Sequence, residues 1–343
     1  MYNIAEFITQ MPKVELHVHL EGSVQPQTLL KLARRHQVTL PADDVPGLRN
    51  WYTFRDFNHF LEIYMTISNC LRTAADIELI TREFLAGQAQ QHIRYSEVTF
   101  TPYNQYLTSG LSFHAQIDAV NRARAWGEQE LGVRMGIIMD IPRQIAPAAG
   151  DLIAGWATER YGDGIIALGL GGQELGNPPE KFRTAFDKVR AAGIPCILHA
   201  GETVGPASIW GAIQVADSQR LGHGVRAIED PRLLDYLRDT QIPLEVCPSS
   251  NICLKVFPSL AAHSLPHLLA HGLYITLNSD DPPMFNTTLT HEYMLGEKTW
   301  HWSQATLEQL VFNAVNATLL PADEKQAMRH AFETQFTELQ TSR

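Results

Sequence analysis

The sequence predicts an α/β protein, a closed (β/α)8 barrel of the TIM type. Three observations predict it: strand-like and helix-like segments alternate, eight segments are strand-like, and the strongly polar residues of the apolar segments collect at their C-terminal ends. The strand candidates cover residues 13–20, 94–100, 134–140, 164–172, 194–200, 220–224, 243–248 and 274–281. Segments of helical period fall between them at 25–37, 74–91, 112–131, 179–192 and 230–239, several with Pro or Asp near the start. Such alternation implies a parallel sheet. An open doubly wound sheet would place its ligand at a switch point between few strands, whereas the polar ends here fall on the first, fifth, sixth and eighth. A barrel gathers all four at one pocket. Residues 306–317 and 321–336 read as extra C-terminal helices packed outside as a cap. Pro and Gly are spread among turns, with no linker or low-complexity stretch, so a single domain over residues 1–343 is expected.

At 343 residues and 45% hydrophobic, the chain can bury a large core. Its net charge of -10, with no basic run to neutralise phosphates, argues against a nucleic-acid partner and for a small, lightly charged ligand. The first nine residues lack a basic start and an apolar core, and no stretch reaches the roughly 18 apolar residues of a membrane span, so a soluble, cytoplasmic protein is expected. Cys70, Cys196, Cys247 and Cys253 are scattered and read as reduced core thiols; the spacing of the last two fits no common zinc motif. The oligomeric state is not encoded in any pattern of this kind.

His17 and His19 sit two residues apart at the end of an apolar strand, so their rings share a face. Alone, the signal is weak, since such a pair is more often a partly buried polar stripe. Three further apolar runs end the same way, in His199-Ala200-Gly201-Glu202, in Gly222-His223-Gly224 and in Asp280-Asp281. His17, His19, His199 and Asp280 offer three imidazoles and a carboxylate, a donor set suited to one zinc ion per chain, with iron or manganese also compatible. On spacing, Asp281 could bind the metal with Asp280 free. Zinc lowers the pKa of bound water to about 7, which supplies a nucleophile at neutral pH. His223 and Glu202 are the remaining groups able to act as acid and base, and Asp281 can orient water or substrate. A second metal is not expected, since the fourth strand ends Gly169-Leu170-Gly171-Gly172-Gln173-Glu174 without a bridging lysine.

With these residues in view, the chain resembles the adenosine deaminase family of amidohydrolase barrels from Met11 to about Asn286. The resemblance rests on the ordered motifs Pro12-Lys13-Val14-Glu15-Leu16-His17-Val18-His19-Leu20-Glu21-Gly22, Gly171-Gly172-Gln173-Glu174, His199-Ala200-Gly201-Glu202, Leu221-Gly222-His223-Gly224, Cys247-Pro248-Ser249-Ser250-Asn251 and Asn278-Ser279-Asp280-Asp281-Pro282. It implies a zinc-dependent enzyme of purine metabolism in which water replaces the 6-amino group of a small-molecule purine nucleoside, adenosine or 2'-deoxyadenosine, releasing ammonia. Carried over, His17, His19, His199 and Asp280 would bind zinc, Glu202 would protonate ring N1, and His223 would hold or deprotonate the attacking water. Substrate would be contacted by His19, Glu21, Gly172 through its backbone N–H at N3, and Asp281 at N7. The nucleoside enzymes carry Asp where this chain has Glu21, at the ribose contact, and Ala-Gly-Asp-Glu where it has Gly171-Gly172-Gln173-Glu174. These departures resemble bacterial relatives that deaminate aminodeoxyfutalosine, which makes that nucleoside the alternative substrate. Adenine deaminases are expected to be less similar, since they usually carry Asp before the sixth-strand His-Gly and Ser near Gly172. A catalytically silent barrel would need a lost ligand or acid, and all seven groups are present.

Phe54, Phe57, Phe60, Ile63, Tyr64 and Ile67 recur at spacings of three and four, which predicts an amphipathic helix packed in the core, with a role in gating the pocket as the other reading.

Overall fold

The computed structural model describes residues 4–341. Its eight strands are β1 (Lys13–His19), β2 (Ile93–Phe100), β3 (Arg134–Pro142), β4 (Ile165–Gly171), β5 (Cys196–Ala200), β6 (Arg220–His223), β7 (Leu244–Val246) and β8 (Ile275–Leu277). They pair in parallel in sequence order. The barrel closes between β8 and β1 just beyond the end of β8, where the Asp280 N–H donates to the His17 carbonyl (3.1 Å) and the His19 N–H to the Asp280 carbonyl (2.9 Å). Lower on the seam a side chain stands in for backbone: Asn278 Oδ1 accepts the N–H groups of Leu16 and His17 at 2.9 and 3.1 Å. These bonds set β8 in register with β1, so Asp280 lies level with His17 and His19.

The predicted helices are present as Pro26–His36, Ala74–Gln90, Phe113–Leu131, Arg183–Ala191 and Pro231–Thr240. Pro26 and Pro231 open two of them at positions where the missing N–H costs nothing, and Thr73 with Asp76 forms a capping box on a third. The first C-terminal helix, Gln304–Ala317, packs on β8 and β1 as a member of the outer ring instead of lying outside it as a cap. After it, Leu319 packs against Ile138, Ala167 and Ile197 inside the barrel, and Arg220, at the first position of β6, donates to the Ala317 carbonyl (2.8 Å). The chain thereby plugs the N-terminal end of the barrel before the last helix, Ala322–Thr341, lays Phe336 against Phe7 and Phe312. Among the described residues no helix is long and apolar enough to cross a membrane.

The Phe57–Ser68 helix combines both readings of its aromatic stripe. Ile63 and Ile67 are buried in the core, while Phe57, Phe60, Leu61, Tyr64 and Met65 line a cavity over the C-terminal ends of the strands. Phe54 precedes the helix and packs edge-on against Phe60 and Phe285.

Candidate active site

All seven groups singled out for chemistry meet at the C-terminal mouth of the barrel. His17, His19, His199 and Asp280 each offer a donor atom, and the four atoms lie within 4.8 Å of one another. The separations are 3.1 Å for His19 Nε2 to His199 Nε2, 3.3 Å for His19 Nε2 to Asp280 Oδ1 and 3.6 Å for His17 Nε2 to Asp280 Oδ1. Donors about 2.0–2.1 Å from a tetrahedral ion stand roughly 3.3–3.4 Å apart, so the spacing fits. Asp280, not Asp281, is the carboxylate turned to the imidazoles.

The rings are held in ligand orientation from behind. His17 Nδ1 donates to Glu245 Oε2 (2.9 Å) and His199 Nδ1 to the Leu170 carbonyl (3.2 Å), which leaves each Nε2 lone pair facing inward. His17 Nε2 is buried without a hydrogen-bond partner. Burial disfavours charge on His17, but Asp280 and Glu245 outweigh it and hold the ring up at about 10. The same two carboxylates would favour a metal cation in place of that proton. Burial pushes His19 down to about 4, and His199 falls well below its ordinary value through burial and the neighbouring imidazoles. Chemistry and geometry of the donor set therefore fit a divalent metal.

Glycines make this convergence possible. A Cβ on Gly222 would stand 2.7 Å from His17 Cε1 and 3.1 Å from His199 Cα, so the two rings can approach only past a bare backbone. A Cβ on Gly22 would fall 1.5 Å from Asp281 Oδ1. His223 and Asp280 themselves adopt positive φ angles, 62° and 65°, a conformation that costs a side-chain-bearing residue energy and persists where surrounding bonds enforce it.

Around the donors, His223 Nε2 stands 3.7 Å from Glu202 Oε1 and 3.8 Å from Asp280 Oδ2. Glu202 is fully buried, and burial, with Asp280 and Glu174 nearby, pushes its carboxyl well above the usual range. Asp281 is raised likewise by burial and by Asp280, and its Oδ1 has no partner. Gly172 sits on the cavity wall at φ 88°.

Glu21 is placed differently from the sequence expectation. It lies behind the wall, its carboxylate taken by the Tyr64 hydroxyl (3.2 Å) and the Thr101 N–H (3.1 Å), and it does not line the cavity. One methylene longer than Asp, it reaches the second strand's loop. Asp140, at the end of β3, does line the cavity, with Oδ1 buried and unpartnered, and sequence reasoning missed it. Glu174, in the sequence only one member of the Gly171-Gly172-Gln173-Glu174 motif, has a definite role. Its carboxylate accepts the N–H groups of Gly201, Glu202, Thr203 and Val204 and the hydroxyls of Thr203 and Ser208, so it shapes the loop that presents Glu202. The cavity, of about 340 Å³, runs from this polar floor to an apolar mouth formed by Leu61, Met65, Leu107, Ile145 and Leu254. No Lys or Arg lines it among the described residues.

Comparison with known proteins agrees with this geometry. The chain matches the family described as Adenosine deaminase over residues 12–335. It is 37% identical over 325 residues to an aminodeoxyfutalosine deaminase of Streptomyces avermitilis, covering 94% of this chain and 90% of the relative. It is equally 37% identical over 314 residues to an adenine deaminase of Bordetella avium, covering 92% and 99%. The crystal structure of an adenine deaminase from Arthrobacter aurescens superimposes with a TM-score of 0.90 at 30% identity, covering 96% of this chain and 98% of that one. The expectation that adenine deaminases are the more distant branch is not met.

Proposed function

Since the chain belongs to the adenosine deaminase family, a family of metal-dependent hydrolases acting on C–N bonds, we propose that it removes the 6-amino group of a purine nucleoside by hydrolysis, with adenosine and 2'-deoxyadenosine as first substrates. The observation that carries this is the match between two acids and the acceptor nitrogens flanking C6. Glu202 and Asp281 are both pushed toward their protonated forms, so each can donate a hydrogen bond, one to N1 and one to N7. The Gly172 N–H supplies a third donor for N3.

His17, His19, His199 and Asp280 would hold a single zinc ion, which when bound supplies Lewis acidity and lowers the pKa of water to about 7. Glu202 passes its proton to N1 as the water oxygen bonds to C6, so that loss of ring aromaticity is not accompanied by charge on the ring. Asp281 fixes the ring plane through N7. The C6–N bond then breaks as the Glu202 carboxylate, now free of its proton, passes one from the added hydroxyl to the amine, so that ammonia leaves and C6 becomes a carbonyl. His223 faces the space the water must occupy. Burial in the barrel mouth strengthens each of these contacts by excluding bulk water.

The cavity favours a nucleoside over its neighbours in size and charge. It has room beyond the polar floor that a bare base leaves unfilled, and the Asp140 carboxyl offers a hydrogen-bonding group suited to sugar hydroxyls. With no Lys or Arg on its wall among the described residues, a phosphate group would find no side-chain cation to pair with, which argues against nucleotides. The apolar mouth favours a second reading, aminodeoxyfutalosine, the substrate named for the Streptomyces avermitilis relative, which extends the nucleoside beyond its 5' carbon. Ammonia release and loss of the adenine absorbance band, measured on adenosine, 2'-deoxyadenosine, aminodeoxyfutalosine, adenine and AMP, test the proposal. Turnover of at least one nucleoside with AMP inert is expected. Turnover of adenine alone, or of none, overturns it.

A further inference from the structure

The mechanism above leaves His223 two roles toward the attacking water, as a base that accepts its proton or as a donor that holds its oxygen. A buried chain of hydrogen bonds behind His223 decides between them. Asn251, in the Pro248–Cys253 helix after β7, places Nδ2 3.3 Å from His223 Nδ1. Its Oδ1 lies 3.1 Å from His263 Nε2. His263 Nδ1 in turn lies 3.0 Å from the backbone nitrogen of Leu265. His223, Asn251 and His263 are each at most 1% exposed, so bulk water does not reach the bonds between them.

One member of the chain has no choice of role. The Leu265 N–H is a backbone donor, so His263 Nδ1 must accept and the His263 proton must sit on Nε2. Burial pushes the His263 imidazole down to about 4, so the ring is neutral and carries one proton. Nε2–H must donate to Asn251, which turns the amide oxygen toward His263 and the amide N–H₂ toward His223. His223 Nδ1 must then accept. In the neutral ring the remaining proton is on Nε2, the nitrogen that faces Glu202 and Asp280 at 3.7 and 3.8 Å. Those distances are too long for direct bonds, so Nε2–H is free to donate to a water or substrate group in the cavity. Any other arrangement sets two N–H groups against each other somewhere along the chain. Flipping Asn251, for example, moves the clash from His223 to His263.

Resting on the deaminase reading of His223, we propose that Asn251 and His263 are positioning residues that fix the proton of His223 on Nε2, so that His223 meets the attacking water as a hydrogen-bond donor and not as its base. Its N–H then stabilises negative charge growing on the water oxygen, as preorganised donors do elsewhere.

The test reads the proton directly. In the full-length, zinc-loaded enzyme labelled with ¹⁵N-histidine, long-range ¹H–¹⁵N correlation distinguishes protonated from bare ring nitrogens, and the His223 signals are assigned by their loss in His223→Asn. Wild type is expected to show Nε2–H and bare Nδ1. His263→Phe removes the donor that orients Asn251, and Asn251→Asp presents an acceptor to His223. Either change is expected to move the proton to Nδ1 and to lower kcat by about 10²-fold with KM little altered. His263→Gln keeps an N–H toward Asn251 and is expected to restore the wild-type pattern. A wild-type ring protonated on Nδ1, or an unchanged tautomer in folded Asn251→Asp, overturns the proposal. The spectrum involves no substrate, so an Nε2–H ring in a protein inert toward every 6-aminopurine would sink the proposed activity and leave the relay standing.

Discussion

Replacing Gly22 by alanine is the sharpest perturbation the site offers. The new methyl carbon would lie 1.5 Å from Asp281 Oδ1, 2.4 Å from its Cγ and 2.8 Å from its Cβ. Non-bonded carbon contacts are comfortable at about 3.5 Å, so the carboxylate must retreat by about 2 Å. Displacing a substrate-orienting group by 1 Å can cost about 10²-fold, so kcat/KM should fall by at least about 10²-fold, or about 2.7 kcal/mol in the barrier. Overpacking of this kind costs about 1–3 kcal/mol of stability, which a folded barrel tolerates. Asp281 lies outside the four-donor cluster, so metal content should hold. Steady-state kinetics on whichever nucleoside proves active, metal analysis by plasma mass spectrometry and a thermal melt form the assay. Activity within about threefold of wild type, with the fold and metal intact, would refute the placement of Asp281 against substrate.

Glu202→Gln should leave metal content unchanged and abolish turnover, since an amide fills the space of the acid but gives up no proton; retained activity removes Glu202 as the acid. His17→Ala should lose most bound metal, and full occupancy by metal analysis rejects it as a ligand. Glu174→Gln replaces one of the two carboxylate oxygens by an N–H₂ group, which then faces either the two donors now on Oε1 or the four on Oε2. Each orphaned one costs about 1–3 kcal/mol, so the melting temperature should drop by several degrees. Burial raises the Glu174 carboxyl, but Arg143 and these bonds outweigh it and hold it below the usual range. Its contribution is therefore fully present above the unfolded value of about 4.3 and is lost as pH falls through the folded value, so Glu174→Gln should flatten the acid side of the stability profile; an unchanged acid limb refutes this.

The barrel was legible because its signal is periodic. Alternating apolar runs and helical faces mark eight units, and one polar end per run marks the mouth. The four metal-ligand candidates and the three acid–base candidates each end such a run, which is why they could be named before the fold was known. Groups that act from behind carry no such mark. Glu245 supports His17, and Glu174 shapes the Glu202 loop, through pairings that span 228 and 27–34 residues. Asp140 did carry the mark, as the one acid after Met135-Gly136-Ile137-Ile138-Met139, and the rule applied to the first, fifth, sixth and eighth strands would have found it on the third. Glu21 shows the converse. A residue matched by position was displaced by one methylene, far enough to exchange a cavity wall for the Tyr64 hydroxyl.

The acids around the mouth also explain how so much negative charge is buried without tearing the barrel open. Uncompensated, each buried carboxylate would cost several kcal/mol. Three resolutions coexist here. Glu97 and Glu245 flank the fully buried Arg220 guanidinium at 2.6 and 2.5 Å, and Glu245 stays ionised because Arg220 and His17 outweigh its burial. Asp280 is held ionised against burial by His17, His223 and His19, the side of the site that a cation would occupy. Burial raises the carboxyls of Glu202, Asp281 and Asp140 well above the usual range, and neighbouring acids add to it. The acids held low thus face imidazoles or Arg220, and the acids raised by burial line the cavity. A ligand whose edge presents bare nitrogen acceptors, as a purine does, can take hydrogen bonds from acids raised in this way, whereas a phosphate there would meet no Lys or Arg among the described residues.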